Sequence, residues 1–170
     1  MHETWQGLRA VARVLIQNSA GELLLCRSRS GRAWVPPGGT LDPGESLPEA
    51  AVREAAEEAG LPVEVGPLVY LQEFRPAGGR EHVIEVAFAA RALAEHPEPA
   101  PRVQPAGPAD RPWRAWYIQD VDGPRREVRW FTREELRALP EPVYPAFLTG
   151  PYWECRDDRH DRYLGLVRAE

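Results

Sequence analysis

The chain has 170 residues, a formal net charge of -5, and 43% hydrophobic and 28% charged residues. That balance fits a single domain over 1–170 and excludes a chain too polar to fold. All 21 basic residues are Arg, so no Schiff-base or P-loop lysine is available, and the acidic excess argues against large nucleic acid as a partner.

The first five residues, Met1 to Trp5, lack the basic region and apolar run of a signal peptide. The apolar stretch 10–16 contains Arg13 and is too short to span a bilayer. No membrane association is expected, and the expectation is a cytoplasmic protein. Cys26 and Cys155 form neither a CxxC pair nor a disulfide framework, and the four His have no zinc spacing.

Residues 8–17 read as a strand, 18–21 as a turn and 22–27 as a second strand, together a hairpin. A polar loop follows, with Arg27, Arg29 and Arg32 along it. Trp34-Val35 is a short apolar patch, stopped by Pro36-Pro37-Gly38-Gly39, which should continue neither a helix nor a central strand. A helix of about 13 residues is predicted next. Ser46 is its N-cap, Glu49 stands at the capping-box spacing, Gly60 fits the position just past its end, and Pro62 blocks continuation.

Residues 63–71 and 83–93 look like further strands, with Pro76-Ala77-Gly78-Gly79 in the loop between them. Residues 95–112 hold six Pro and almost no large apolar residue, so they read as a long loop or insertion. Strands resume at 113–118 and 127–131. Thr132 and Glu135 make a second capping box for a helix over 133–139, and 143–148 read as another short helix. The tail 151–170 is rich in Arg and Asp but carries Tyr152, Trp153 and Tyr163, and could pack back, line a site or meet a partner. Separated helices among mixed strands suggest an α+β fold or an α/β/α sandwich.

The strongest signal is on the first helix. Glu54, Glu57 and Glu58 stand at i, i+3 and i+4 and share one helical face, with Glu45 just before the helix. Like charges this close repel, and a divalent cation offsets that repulsion. Mg²⁺ takes carboxylate oxygens and commonly shares its shell with substrate phosphate. The alternative is a solvated acidic face with Arg53 paired to Glu57. The glycine pair before the helix permits close approach of backbone to a phosphate or metal.

Gly39, then Glu45, then Arg53-Glu54-Ala55-Ala56-Glu57-Glu58-Ala59-Gly60-Leu61 resembles the Nudix hydrolase signature over residues 39–61. Only the lead-in departs, with Pro36 where an aliphatic residue is frequent. The resemblance implies an α/β/α sandwich with a mixed β-sheet, the Nudix fold. It also implies metal-dependent hydrolysis of a phosphoanhydride bond in a nucleoside diphosphate linked to another moiety X, with Mg²⁺ as cofactor and Mn²⁺ as a second choice. Glu54, Glu57 and Glu58 become metal ligands by that resemblance, with Glu54 also a candidate general base. Arg53 becomes an orienting partner for a signature carboxylate such as Glu45. Gly39 could offer its backbone carbonyl to the metal.

Outside the signature, Glu127 is read either as a further acidic ligand or base or as a surface residue at a strand end. Arg27, Arg32, Arg75 and Pro76 are candidate substrate contacts. Pro76 with its Gly-rich continuation resembles the subgroup that acts on ADP-ribose or nucleotide sugars. Nucleoside triphosphate pyrophosphohydrolysis, with oxidised nucleotides included, and a non-catalytic nucleotide-binding domain are the alternatives. The partner expected is a nucleotide-derived small molecule, and the family resemblance leaves a homodimer open.

Overall fold

The apolar run after Leu8 becomes β1 (Gly7–Gln17), and its alternation feeds both faces of a sheet. Val14 and Ile16 enter one buried cluster and Leu15 enters the other. In β2 (Leu23–Arg27), Leu24 and Cys26 face the first cluster, Leu23 and Leu25 the second. A strand buried on both faces needs a layer on each side. The computed structural model describes residues 7–75, 81–98, 102–119, 123–154 and 163–168.

The remaining strands are β3 (Trp34–Val35), β4 (Gly38–Thr40), β5 (Val63–Arg75), β6 (Glu81–Ala92), β7 (Val103–Pro105), β8 (Ala115–Gln119), β9 (Arg125–Phe131) and β10 (Tyr163–Arg168). They build one sheet in the order β10-β5-β6-β1-β2-β9-β8-β7, with β3 beside β2 and β4 beside β1. The sheet is mixed: β1 runs parallel to β6 and β10 parallel to β5, while the other pairs are antiparallel. Among the described residues, no helix is long and apolar enough to cross a membrane.

Helix α1 (Leu47–Glu54) covers the first face. Ser46 Oγ accepts from the Glu49 N–H, and the Ser46 N–H donates to Glu49 Oε2 at 2.8 Å, which closes the capping box. The expected single α-helix changes character after Glu54. Ala55–Ala59 form a π-helical turn that ends on Gly60 at φ 72°. The sheet tethers this wider turn: Trp116 Nε1 donates to the Ala59 carbonyl at 2.9 Å, and Ala55 and Ala59 are fully buried. The second face is covered by α2 (Arg133–Ala138), a 3₁₀ turn (Ala146–Thr149) and α3 (Pro151–Glu154), through Leu136, Leu148, Phe147, Tyr152 and Trp153. The fold is thus the α/β/α sandwich with a mixed sheet.

Three further details differ from the sequence expectations. The β1–β2 hairpin parts almost at once, with the Gln17–Leu23 pair at its base, because β6 takes one side of β1 and β4 shares the other. Gly38 and Gly39 do enter a strand pairing with β1, which absent side chains permit. A Cβ on Gly38, at φ 151°, would sit 2.2 Å from the Ala12 carbonyl oxygen. The Pro-rich stretch contributes β7, held by pairing to β8 and by buried Val103, and His96 stacks on Trp113 at 4.8 Å. The tail contributes α3 and the edge strand β10. Residues 76–80, with the Pro76 loop, and Cys155 lie outside the described residues.

The second capping box also carries a pH signature. Partial burial opposes ionisation of Glu135, but the Thr132 N–H bond and the guanidiniums of Arg114 and Arg129 outweigh it and hold the carboxyl below its ordinary value of 4.5. A carboxyl with a lower pKa folded than unfolded adds stability above its ordinary value and loses it as pH falls through the lowered one. Denaturant melts of wild type and Glu135→Gln should therefore show a gap at neutral pH that narrows in acid. An equal gap at both pH values would remove Glu135 from the pH response.

Candidate functional site

The N-terminal half of β1, the β4 glycines and the carboxylates of α1 and its π-helical turn surround a cavity of about 710 Å³. Glu54 and Glu58 are 7% and 4% exposed, which is exceptional for carboxylates and demands partners. Glu58 has them: Arg126 Nη2 lies 2.7 Å from its Oε1, and the Gly38 N–H donates to its Oε2 at 3.0 Å. The Cys26 thiol lies 3.8 Å from the same oxygen, and burial pushes that thiol well above its usual range, so it stays neutral. Cys26 is a free, buried cysteine.

Glu54 is held differently. Burial, then the nearby Glu58 charge, lifts its carboxyl above the usual range, while Arg53 pulls it back. Arg53 Nη1 donates to Glu54 Oε1 at 2.9 Å and to Glu57 Oε2 at 3.3 Å, and its Nε donates to Glu45 Oε1 at 2.9 Å. Its Nη2 reaches Glu45 Oε2 at 3.0 Å and the Thr40 carbonyl at 3.1 Å. The hydrogen bond from Arg53 holds the Glu45 carboxyl below its ordinary value. One planar guanidinium thus links three acids to the strand that carries the glycine pair, which suits its fixed fork of donors.

Beneath the glycine loop lies a second network. Arg13 Nη1 donates to the carbonyls of Gly38 at 2.7 Å and Pro36 at 3.2 Å, and its Nε donates to Glu85 Oε2 at 2.9 Å. Tyr70 Oη donates to Glu85 Oε1 at 2.8 Å. The loop's backbone is thereby fixed from below while its Gly38 N–H engages Glu58 from above.

The structure brings Gly39, Arg53, Glu54, Glu57 and Glu58 to one cavity wall. Glu127, Arg27 and Arg32 line a neighbouring cavity instead, where Arg27 lies 3.7 Å from Glu127. Arg75 ends β5 and does not line that cavity, and Pro76 lies outside the described residues. Trp34 is core, packed edge-on against Phe131 at 4.8 Å, whereas Phe74 lines the cavity. Sequence reasoning missed Arg126, Arg13 and Glu85. A signal for Arg126 existed: it stands in phase with buried Val128 and Trp130, so the alternation carried one step back buries a charge that needs an acid.

Whether these residues suit a divalent cation can be tested on their chemistry. Three carboxylates and a backbone carbonyl are the hard oxygen donors Mg²⁺ prefers. The room between Gly39 and Glu54 exists only without a side chain, since a Cβ there would lie 2.2 Å from Glu54 Oε1. Among the described residues, no three acidic, His or Cys side chains already converge on one point. Arg53 and Arg126 hold the acids instead. The donor set fits a hard cation, and the arrangement is an arginine-neutralised one.

The NUDIX domain family matches residues 7–147. The chain belongs to the Nudix family. Its Nudix fold is shared with a NUDIX hydrolase from Nitrosomonas europaea (TM-score 0.63, 19% identity, 98% of this chain and 82% of that one). It is shared as well with an ADP-ribose pyrophosphatase from Streptococcus suis 89-1591 (TM-score 0.56, 20% identity, 94% and 98%). In sequence, this Nudix chain is 41% identical over 61 residues to a bis(5'-nucleosyl)-tetraphosphatase [asymmetrical] from Sus scrofa, covering 35% of this chain and 40% of that protein. The matched segments cover 32% to 46% of the length of the curated relatives.

Proposed function

We propose that this Nudix protein hydrolyses the phosphoanhydride bond of a nucleoside diphosphate linked to X, with ADP-ribose or a nucleotide sugar as the substrate class. The observation that carries the reading is the cavity itself. Buried Glu54 and Glu58, with Glu57, line it together with Arg9 and Arg29. Such a site neutralises a diphosphate with cations while keeping acids for a metal and a proton. The likeness to an ADP-ribose pyrophosphatase fold, and the Pro76 spacing, support the choice of X.

Glu54, Glu57, Glu58 and the Gly39 carbonyl would hold Mg²⁺ or Mn²⁺. Such a cation, when bound, neutralises phosphate oxygens and makes bound water more acidic. Glu54, in its carboxylate form, accepts the proton that the attacking water gives up. Arg53 orients Glu54 and Glu57 from behind. Water adds to one phosphorus and the anhydride oxygen leaves with the other, so ADP-ribose gives AMP and ribose 5-phosphate.

Product analysis on a panel of ADP-ribose, nucleotide sugars, oxidised and ordinary nucleoside triphosphates and dinucleoside polyphosphates is the test. Turnover of ADP-ribose to AMP and ribose 5-phosphate, present with Mg²⁺ or Mn²⁺ and abolished by chelator, is expected. Nucleoside monophosphate plus pyrophosphate from a triphosphate would replace this substrate class with the triphosphate one. A second expectation concerns Arg53→Lys. A single ammonium cannot reach Glu45, Glu54, Glu57 and the Thr40 carbonyl together, so kcat should fall on the order of 10²-fold with little change in KM. Wild-type kcat in that variant would remove the orienting role.

A further inference from the structure

The acid-bearing cavity does not close at Ser28, Arg29 and Arg126. These three residues also line a second cavity of about 620 Å³ on their far side. Its walls add Arg27, Arg32 and Arg125, so five guanidinium groups face two carboxylates, Glu127 and Glu141.

Both carboxylates are engaged by one and the same arginine. Arg27 Nη2 lies 2.8 Å from Glu141 Oε1, and Arg27 Nε lies 3.7 Å from Glu127 Oε2. Arg126 is spoken for by Glu58. Among the described residues, Arg29, Arg32 and Arg125 form no ion pair. Arg125 lies flat on Tyr117 at 4.5 Å and donates to Gln104 Oε1 at 2.7 Å, which holds it in place without neutralising it. Gathering unneutralised arginines around one concave space is unfavourable unless an anion enters it. Planar guanidinium forks match phosphate oxygens better than any other side chain.

We propose that this arginine-lined cavity is a second anion subsite, which seats phosphoryl groups that the substrate carries beyond the scissile bond. The inference rests on the hydrolysis reading and extends its substrate class beyond ADP-ribose and neutral nucleotide sugars. An X that bears its own phosphate, or a longer polyphosphate chain, gains contacts there that a neutral sugar does not. The shared wall supplies the route: a chain held over Glu54 and Glu57 passes Arg29 and enters the arginine-lined space.

Two measurements test the subsite. The first is calorimetric binding of inorganic tripolyphosphate in chelator-containing buffer, for wild type and for Arg32→Gln/Arg125→Gln. Both residues are exposed, so the variant should fold. Loss of two phosphate contacts should weaken binding roughly tenfold and flatten its salt dependence. Equal affinity in both proteins, or no binding to wild type, would overturn the proposal. The second is the ratio of KM for diadenosine tetraphosphate to KM for ADP-ribose, which should rise about tenfold in the variant. A ratio that stays put would overturn the proposal as well. The two readings fail separately: tripolyphosphate binding lost in the variant while wild type hydrolyses nothing would sink the hydrolysis reading and leave the subsite standing.

Discussion

Glu58→Gln is expected to lose about 3–5 kcal/mol of folding stability together with most activity. The reason is Arg126. It is 4% exposed and its guanidinium lies 2.7 Å from Glu58. Removing the carboxylate breaks a buried, hydrogen-bonded ion pair, and against a typical domain stability of about 5–15 kcal/mol that is a large share. The Gly38 N–H would lose its charged acceptor at the same time. Glu57→Gln behaves differently. Its side chain is 36% exposed and meets Arg53 at 3.3 Å, so the pair contributes less than about 1 kcal/mol. That variant should stay folded and still lose roughly 10²-fold or more in kcat. Denaturant melts followed by tryptophan fluorescence, beside turnover, separate the two effects. The double replacement Glu58→Leu/Arg126→Met should recover part of that stability without activity, because both charges of the buried pair are removed together. A Glu58→Gln protein as stable as wild type would show that the pair is not a structural one.

The glycine pair should split in the same way between folding and chemistry. Gly39→Ala places a Cβ 2.2 Å from Glu54 Oε1 and 2.7 Å from its Cδ. The obstacle is the end of a side chain, so the fold survives by pushing the Glu54 carboxylate aside. Stability should fall by about 1 kcal/mol and kcat by roughly 10²-fold, the effect of displacing a catalytic group by an ångström. Gly38→Ala meets backbone instead. Its Cβ would lie 2.2 Å from the Ala12 carbonyl oxygen and 2.8 Å from the Arg13 Cα, and its φ of 151° disfavours any side chain. Neither obstacle can swing away, so a loss of about 3 kcal/mol or more is expected. Equal stability losses in the two alanine variants would contradict this division.

Much of the site could be read along the chain because its parts are local. Gly39, Glu45, Arg53, Glu54, Glu57 and Glu58 lie within one short segment, and helical periodicity alone puts the acids on one face. The capping boxes at Ser46 and Thr132 and the left-handed Gly60 are local too, fixed by hydrogen bonds within a turn. The longer strands announced themselves as apolar runs, whereas β4, made of glycines, and the edge strands β7 and β10 did not. β7 and β10 are short, lie at opposite edges of the sheet, and form only where a neighbouring strand offers free backbone groups.

What local pattern could not supply is who neutralises whom. Arg126 comes to Glu58 from 68 positions away, across the sheet. Arg13 ties the glycine loop to Glu85 and Tyr70 through the parallel pairing of β1 with β6, a contact between segments 72 residues apart. The arginines around Glu127 and Glu141 form a basic cavity only because β2, its following loop and β9 lie side by side. Periodicity reports which face a residue takes. The partner on that face depends on strand order, and long-range packing settles strand order by burying both sides of β1 and β2 at once.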